Sequence, residues 1–237
     1  MALFSIEKNK NRIKIILFGI KVSFFINGRN NKILLLDEKG RIKSVRKVKG
    51  IRLKFHGSNA VCILPKNNVF KNCFFELWSD ACIEIKNPQV CWINNLYLET
   101  GCNSKTIIGS NAKFVDTKIY NWGPNTCVKI GDDCMFSDNT LIRTHDGHTL
   151  YDITTKEVIN KAKDVNIQNH VWVAKNSSIL KGSVVPQNTV VAANSVVTSV
   201  FDEQNIVLAG NSAKIVKTNV NWDIRAWTRY SKEEVLV

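Results

Sequence analysis

The sequence lacks the residue patterns that define several common classes of protein. Its seven cysteines include no Cys-x-x-Cys pair, their number is odd, and several have apolar neighbours. Neither a zinc ribbon nor a disulfide framework is therefore expected, and the thiols are typical of buried side chains in a reduced, cytosolic protein. No Gly-rich phosphate loop, Walker motif or dinucleotide fingerprint is present either, so those modes of nucleotide binding are not expected.

A long apolar run is also missing. Residues 13–26 are apolar, but Lys14 and Lys21 interrupt them and leave at most six consecutive uncharged residues within this segment. Six residues are too few to span a bilayer. No small-residue cleavage site follows the segment, so no secretory signal is predicted. We expect a cytoplasmic protein, and peripheral association with the inner face of the membrane is left open.

Positive charge is concentrated near the amino terminus. Residues 1–56 hold 15 basic and 3 acidic side chains, whereas residues 57–237 hold 18 and 17. A basic region of this kind suits anionic lipid, a polyanionic glycan or phosphates. The alternative is a set of solvated lysines that discourage aggregation at an edge strand. No DNA- or RNA-binding motif accompanies the charge, so no nucleic-acid partner is expected.

A period of six residues dominates the second half of the chain. Neither an α-helix nor an alternating strand has this period, but a three-sided parallel coil does, because each flat side needs one inward aliphatic residue. Three sides make an 18-residue coil, so Ile167 is predicted to stack under Val185. The aliphatic positions are Ile130, Phe136 and Ile142 in a first run, and Ile167, Val173, Ile179, Val185, Val191 and Val197 in a second; small residues follow at Ser177, Ser183, Thr189 and Ser195.

The early part of the chain carries a weaker repeat. Gly-x-Asn occurs at residues 28–30, 57–59 and 101–103, each time before a short apolar strand. Glycine and asparagine both tolerate the left-handed backbone that a tight corner needs. These positions predict corners of irregular coils that precede the regular ones.

One long interruption divides the regular coils. The period stops after Ile142 and resumes at Val165, which leaves a polar loop of 22 residues, 143–164. A loop of this length in a compact solenoid is usually functional. The sequence thus predicts a basic, β-rich cap with the first irregular coils over 1–56, a parallel β-helix over 57–200, and a terminal strand with a capping helix over 201–237.

Four motifs carry a family resemblance: IGDDCMFSDNTLIRT (130–144), HDGHTLYD (145–152), NIQNHVWVAKNSSILKG (166–182) and AGNSAKIV (209–216). Together they resemble the hexapeptide-repeat acyltransferases, and within them the subgroup that modifies bacterial capsules, including polysialic acid, and O-antigens. The resemblance implies an all-β, left-handed parallel β-helix with an extruded loop and a short C-terminal helix. It also implies an acetyl-CoA-dependent O-acetyltransferase that acts on a sugar hydroxyl of a surface glycan and requires no metal.

The resemblance assigns catalytic roles to two residues, His148 and Trp172. Histidine suits a general base because its ordinary pKa of about 6.5 lies near the working pH. The indole N–H of Trp172 is a donor for a developing oxyanion. Asp146 is the preferred residue to orient the imidazole, and Asp152 or a backbone carbonyl are the alternatives. Purely structural roles for His148 and Trp172 are the competing hypotheses.

Further residues are predicted to bind the two substrates. His145, which replaces the usual serine of the family motif, and Tyr151 are candidates for contact with an anionic acceptor, although for His145 a side chain that lies in solvent or packs within the loop is the favoured alternative. Lys214 matches a terminal lysine of the family and is the preferred phosphate contact. The full set predicted for acetyl-CoA is Trp172, Ala174, Lys181, Ala192 and Lys214.

The resemblance further implies a homotrimer with active sites between subunits. An N-acetyltransferase of a nucleotide-linked amino sugar is the nearest competing function. A zinc hydro-lyase of the carbonic-anhydrase type is a more distant one, because zinc would need three histidines to meet and the spacing of the four present does not fit that arrangement. A catalytically silent scaffold is the third alternative.

Overall fold

The computed structural model describes residues 4–9, 12–17, 20–25, 28–67, 69–86, 92–225 and 227–229. Strands β1 (Phe4–Asn9), β2 (Arg12–Leu17) and β3 (Ile20–Phe25) form an antiparallel sheet in that order. The next strands in the chain are β4 (Lys32–Leu36), β5 (Ile42–Val45), β6 (Ile51–Phe55), β7 (Val61–Pro65), β8 (Val69–Lys71), β9 (Cys73–Leu77), β10 (Cys82–Ile85), β11 (Trp92–Asn94), β12 (Leu96–Thr100), β13 (Lys105–Ile108), β14 (Lys113–Phe114) and β15 (Thr117–Asn121).

The remaining strands are shorter, as the six-residue period requires. They are β16 (Cys127–Ile130), β17 (Met135–Phe136), β18 (Thr140–Arg143), β19 (Val165–Ile167), β20 (Trp172–Val173), β21 (Ser178–Ile179), β22 (Val184–Val185), β23 (Val190–Val191), β24 (Val196–Val197), β25 (Val207–Ala209) and β26 (Lys214–Lys217). One turn of 3₁₀ helix, Trp227–Arg229, follows them.

Three sheets form the sides of a prism. Face 1 has the order β22-β19-β16-β13-β10-β7-β4-β5, face 2 has β26-β25-β23-β20-β17-β14-β11-β8, and face 3 has β24-β21-β18-β15-β12-β9-β6. Successive strands such as β16, β17 and β18 lie on faces 1, 2 and 3, and each then pairs in parallel with the equivalent strand of the next coil. The chain is therefore a three-sided parallel β-helix, as the period of six predicted.

The predicted stacking of the regular coils is confirmed residue by residue. Ile167 pairs with Val185 on face 1, and its side chain is fully buried. The equivalent stacks on the other faces join Val173 to Val191 and Ile179 to Val197. All of these residues lie in one continuous hydrophobic core. Each coil thus buries its apolar residues chiefly against the neighbouring coil, which is the stabilising contact of a solenoid.

Glycine and asparagine have different roles at the corners of the coils. Asn30, Asn59 and Asn103 have left-handed backbones, with φ of 63°, 60° and 53°. The glycines of the same Gly-x-Asn repeats are not in that conformation, so in each repeat the asparagine takes the left-handed backbone that the corner needs. A Cβ on Gly28 would lie 1.7 Å from the carbonyl oxygen of Gly57. Glycine at positions 28 and 57 permits close approach between coils, whereas asparagine turns the corner.

The corner asparagines also bond to one another. The side chain of Asn139 donates to that of Asn176 at 3.0 Å, and Asn176 donates to Asn194 at 3.1 Å. The small residues of the hexads lie inside the corners, where the Ser177 hydroxyl donates to the carbonyl of Ala192 at 2.8 Å. The buried polar groups are thereby satisfied, and this explains why the corners need small polar residues rather than aliphatic ones.

The cysteines only partly match the expectation of buried thiols. Cys62, Cys73 and Cys134 are buried, but Cys102 is exposed. Burial raises the pKa of the Cys134 thiol to about 12, which makes it a poor nucleophile. All six described cysteines are free, and Cys91 lies outside the described residues.

The carboxy-terminal region ends the prism on face 2. Strand β26 pairs antiparallel with β25 after the Ala209–Lys214 turn, as the predicted terminal strand required. Half of the predicted capping helix over 222–235 lies outside the described residues, and of the described half only the turn at Trp227–Arg229 is helical. Among the described residues, no helix has the length and apolar character that crossing a bilayer demands.

Candidate active site

The extruded loop connects face 3 to face 1. It occupies residues 144–164, between the end of β18 and the start of β19. Within it, Tyr151 and Val158 form an antiparallel bridge. Asp152 closes the intervening turn, because its carboxylate accepts hydrogen bonds from the backbone N–H groups of Thr154 at 2.7 Å and Thr155 at 2.8 Å. These bonds lower the pKa of Asp152 and give it a structural task within the loop.

His148 lies on the exposed side of this loop. Its backbone carbonyl accepts a hydrogen bond from the side-chain amide of Asn160 at 2.8 Å, which fixes the main chain at this position. The imidazole itself makes no hydrogen bond to any described residue. The main chain is therefore anchored while the side chain is exposed, and a bound hydroxyl can reach the imidazole as a general base requires.

Asp146 has partners other than His148. Its carboxylate accepts a hydrogen bond from the side-chain amide of Asn160 at 2.9 Å and forms an ion pair with the ammonium of Lys181. Lys181 also donates to the backbone carbonyl of Asn160 at 3.1 Å. The Lys181 hydrogen bond is the main reason that the pKa of Asp146 lies below its ordinary value. Asp146 and Lys181 together fasten the loop to the coil that follows β21, and their roles in orienting the imidazole and binding the donor stay predictions.

Trp172 is on face 2, in β20, and is half-buried. Its indole N–H donates to the hydroxyl of Ser137 at 3.3 Å on the preceding coil. The loop that carries His148 leaves the prism where face 3 meets face 1. Within the described part of one chain, no hydrogen bond or ring contact joins His148 to Trp172. The two predicted catalytic residues thus belong to different sides of one prism.

His170 is a corner residue, and it contacts Trp222, which the sequence analysis did not place near the site. The backbone of His170 is left-handed, with φ of 54°. Its ring stacks on the indole of Trp222 with the centroids 4.4 Å apart, and the Trp222 N–H donates to the carbonyl of His170 at 2.8 Å. Trp222 is also 6.1 Å from the Trp172 ring. The carboxy-terminal segment therefore covers the corner beside Trp172, and the 52-residue separation explains why no local pattern indicated it.

Four of the residues predicted for the acyl donor share face 2 or its margin. Trp172 is in β20, and Ala174 follows that strand. Ala192 is in the equivalent position on the next coil, because the N–H of Ala174 donates to the carbonyl of Val191 at 2.9 Å. Lys214 is exposed and pairs with Ala209 at the end of the face. The small alanine side chains leave space beside the indole along the coil axis, and a cation lies at its end.

His145 packs against the body of the protein and does not extend into solvent. Its ring centroid is 5.7 Å from that of Trp122, and its Nδ1 accepts a hydrogen bond from the N–H of Gly147 at 2.9 Å. Burial, followed by the nearby Arg143 cation, lowers the pKa of His145 below its ordinary value. Tyr151 is exposed on the loop, with the ammonium of Lys156 5.9 Å from its ring centroid.

The loop surface is more apolar than its sequence suggested. Five large hydrophobic side chains are exposed along the loop, in contrast to the polar character expected of it: Leu150, Tyr151, Ile153, Val158 and Ile159. A group of exposed apolar side chains is typical of a contact surface. The described residues contain no group of three or more His, Cys, Asp or Glu side chains that could hold a metal ion.

No protein-family model matches the chain. Two curated proteins named polysialic acid O-acetyltransferase are similar in sequence. The protein from Escherichia coli O1:K1 is 35% identical over 132 residues, which are 56% of this chain and 39% of that protein. The protein from Neisseria meningitidis is 46% identical over 95 residues, 40% of this chain and 44% of that protein. The matches thus span less than half the length of these curated relatives.

Two solved structures extend the similarity over most of the chain. The polysialic acid O-acetyltransferase OatWY has a TM-score of 0.61 and 26% identity over 88% of this chain and 95% of its own. The polySia-specific acetyltransferase NeuO has a TM-score of 0.59 and 25% identity over 86% and 83%. The predicted fold class, a left-handed parallel β-helix, is confirmed. The resemblance carried by the four motifs is confirmed as well, and the chain is related in sequence and fold to the hexapeptide-repeat O-acetyltransferases of capsular polysaccharide.

Proposed function

We propose that this protein is an O-acetyltransferase that moves an acetyl group from acetyl-CoA to a sugar hydroxyl of a bacterial surface polysaccharide. The observation that carries the proposal is the alignment with the polysialic acid O-acetyltransferase OatWY over 95% of that chain. The polysialic acid that the relatives' names specify supports an acidic glycan as acceptor. The excess of basic side chains in residues 1–56 fits the same acceptor because opposite charges attract.

His148 acts as the general base. As the sugar oxygen attacks the thioester carbonyl, the imidazole takes the hydroxyl proton, and the resulting imidazolium gives that proton to the departing sulfur when the carbon–sulfur bond breaks. The hydroxyl is a poor nucleophile until its proton is removed, and a positioned base contributes roughly 10²–10⁴-fold in rate. The exposed ring and its fixed main chain suit this exchange.

Trp172 stabilises the negative charge that develops on the carbonyl oxygen. Its indole N–H is a fixed donor, which at present bonds to the Ser137 hydroxyl and would exchange that partner for the developing oxyanion. One such donor is worth about 3–4 kcal/mol where it has been measured in other enzymes. In the alternative hypothesis, a backbone N–H and the indole N–H both donate to the oxyanion.

The active site forms between two copies of the chain. His148 and Trp172 occupy different sides of one prism, and an imidazole and an indole must both reach the thioester for the mechanism to operate. A second copy that presents its face 2 to the loop of the first would bring them together. The apolar side chains exposed on the loop, such as Ile153 and Ile159, supply the contact surface. A cyclic homotrimer closes this arrangement with three equivalent sites.

Acetyl-CoA binds along face 2 beside Trp172. Ala174 and Ala192 on adjacent coils leave room for a thin chain, and Lys214 offers a cation to a phosphate. Lys181 is committed to Asp146, so the loop tether is its role in this proposal. The proposed compartment is the cytoplasm, where reduced thiols persist, and the six described cysteines are free.

The test is acetyl transfer from isotopically labelled acetyl-CoA to a panel of acceptors. The panel contains polysialic acid, other acidic and neutral capsular polymers, O-antigens and nucleotide-linked amino sugars. We expect an acetyl ester on a surface polymer and no transfer by the H148A variant. Transfer to an amine alone would replace the proposal with the N-acetyltransferase alternative. Folded protein that binds one zinc ion per subunit and transfers no acetyl group would favour the hydro-lyase.

A further inference from the structure

The outer surface of face 3 carries two neighbouring sets of contacting rings that the proposed chemistry does not use. We call them together the aromatic strip, which consists of Phe74, Trp78, Tyr97, Tyr120 and Trp122. Phe74 and Tyr97 have ring centroids 5.7 Å apart, and Tyr97 and Tyr120 are 5.3 Å apart. Trp78 meets Trp122 edge-on at 5.8 Å. The strip lies along the stacked coils and ends beside the loop that carries His148.

The register of the strands places these rings outside the core. On β9 and β12, Phe74 pairs with Tyr97 while the next residues, Phe75 and Leu98, pair with each other and are fully buried. Alternate residues of a strand point to opposite faces, so Phe74 and Tyr97 face outward. The five strands from β6 to β18 are separated by four spacings of about 4.8 Å, which gives the face a length of about 19 Å. Several sugar units of an extended polymer would fit this length.

Hydrogen bonds to two glutamates hold the rings in place. Glu99 accepts from the indole N–H of Trp78 at 3.3 Å and from the hydroxyl of Tyr97 at 3.2 Å. Glu76 is 2.5 Å from Nε2 of His56, and His56 stacks on Trp78 at 4.6 Å. Burial and the Glu99 charge raise the pKa of Tyr97, so its hydroxyl stays protonated. The rings are thus orientated in advance for binding, which lowers the entropic cost of an interaction.

Unpaired cations border the aromatic strip. The guanidinium of Arg52 lies 4.1 Å from the Phe74 ring centroid, and that of Arg143 lies 5.6 Å from the Tyr120 ring centroid. Lys54 and Lys118 are exposed on the same strands. None of these four cations forms an ion pair with a carboxylate in the described part of the chain. A surface that combines flat rings with unpaired cations is complementary to a polymer that has apolar ring faces and negative charges.

Two buried donors without acceptors lie where the aromatic strip meets the loop. Nε of Arg143 and Nε2 of His145 are buried and have no hydrogen-bond partner. Because Nδ1 of His145 accepts from Gly147, Nε2 of the neutral ring carries the proton, and both atoms are donors. Buried donors are nearly always paired in native proteins. Because both atoms are out of reach of solvent, a ligand at this end of the strip would meet the outer nitrogens of the Arg143 guanidinium, and His148 follows only five residues after Arg143.

We propose that the aromatic strip binds the acceptor polymer, a chain of carboxylate-bearing sugars, and guides it to His148. The C–H faces of the sugars stack on the tryptophan and tyrosine rings, and a carboxylate near the reacting unit pairs with the guanidinium of Arg143. This inference rests on the proposed function and adds to it a binding surface on one chain, remote from the thioester. A second copy of the protein on this face is the rival occupant.

The experiment measures binding of polysialic acid oligomers of increasing length by calorimetry, without acetyl-CoA. The variants are W78A and W122A, with W92A as the matched control, because Trp92 is an exposed tryptophan on face 2. We expect W78A and W122A to weaken binding about two- to twelvefold, as the loss of an aromatic contact of about 0.5–1.5 kcal/mol predicts. W92A should bind like the wild type. Unchanged affinity in the first two variants, or an equal loss in W92A, would overturn the proposal.

A second comparison tests the carboxylate contact. R143Q should weaken binding of polysialic acid but leave binding of the same polymer unchanged after its carboxyl groups are reduced to alcohols. Equal effects on both polymers would remove Arg143 from recognition of the charge. Light scattering of every variant tests the rival occupant, a second copy of the protein. A variant that forms a smaller oligomer but binds the glycan with unaltered affinity would show that the aromatic strip is an interface between copies. Circular dichroism confirms that each variant is folded.

The outcome is separable from that of the proposed function. Wild-type protein that binds long polymers through the aromatic strip but transfers no acetyl group would refute the enzymatic proposal and leave the strip as a glycan site. Wild-type protein that acetylates short acceptors, yet shows no gain in affinity with chain length, would refute the strip and leave the enzyme.

Discussion

The carboxylate of Asp146 forms an ion pair with the ammonium of Lys181, 35 residues later in the chain. The pair joins the base of the extruded loop to the coil beyond β21, and Asn160 bonds to both partners. An exposed pair contributes little to global stability, about 0–1 kcal/mol. Its effect is local, because it limits the positions that the loop and His148 can take.

The first prediction is that K181M loosens the loop without unfolding the protein. Amide hydrogen exchange over residues 145–161 should accelerate, while the melting temperature changes by no more than a few degrees. Turnover should fall more than the affinity for acetyl-CoA. The matched control is K175M, which changes an exposed lysine in the turn between β20 and β21. It should leave loop exchange unaltered. If K181M instead selectively lost affinity for acetyl-CoA, Lys181 would be a contact to a phosphate of the donor.

The same pair has a predictable response to acid. The pKa of Asp146 is lowered in the folded protein, so its contribution is present above the unfolded value of about 3.9 and is lost as the pH falls through the lower folded value. We therefore expect loop exchange to accelerate only below about pH 4. The K181M variant should show no such acid-dependent step.

The second prediction concerns His148. H148A should reduce turnover roughly 10²–10⁴-fold and leave the fold intact, because the ring is exposed and bonds to no described residue. T149A changes the exposed neighbour and should retain activity. A large drop in the melting temperature of H148A would instead indicate a structural histidine.

The third prediction tests whether His148 and Trp172 act across subunits. H148A and W172F should each be nearly inactive, the latter by roughly 10²–10³-fold because phenylalanine lacks the N–H donor. Co-expression in equal amounts should restore about a quarter of the wild-type activity, since in random trimers that fraction of interfaces joins an intact histidine to an intact tryptophan from another chain. A site contained in one chain would show no restoration.

The fourth prediction is a shifted titration of His145. Burial and the Arg143 cation lower its pKa, so the folded protein should show a midpoint below about 6.5. Because the unfolded ring binds a proton more readily, the neutral His145 contributes stability above that value and less as the pH falls towards the folded pKa. The measurement is NMR of the imidazole. R143Q should raise the midpoint, and an unmoved midpoint would show that the guanidinium has no influence on the ring.

The fifth prediction concerns the stacked core. Ile179 is fully buried between Ile142 and Val197, so I179A should lower the free energy of unfolding by about 2–5 kcal/mol. I42A changes an exposed isoleucine on β5 and should remain within about 0.5 kcal/mol of the wild type. Denaturant titration compares the two. Equal, small effects would contradict a core that depends on coil-to-coil stacking.

The amino-acid sequence alone determined the architecture of the regular coils. A repeat of six fixes which residue faces inward, and three repeats fix which residues stack, so the pairing of Ile167 with Val185 followed without any long-range information. The loop was predictable for the same reason, because a break in a strict period marks an insertion. The structure moved only the start of the loop, from residue 143 to residue 144, because β18 extends to Arg143.

Tertiary packing decided the rest of the site. The pairing of Asp146 with Lys181, the stacking of His170 on Trp222, and the contact of Trp78 with Trp122 join residues 35, 52 and 44 positions apart. No periodic pattern links such residues, because each pair forms only when coils, loop and carboxy-terminal segment fold onto one prism. A repeat encodes the core since every coil buries the same surface. The polar and aromatic groups on the outside have no such repeated constraint, so only the folded chain defines their partners.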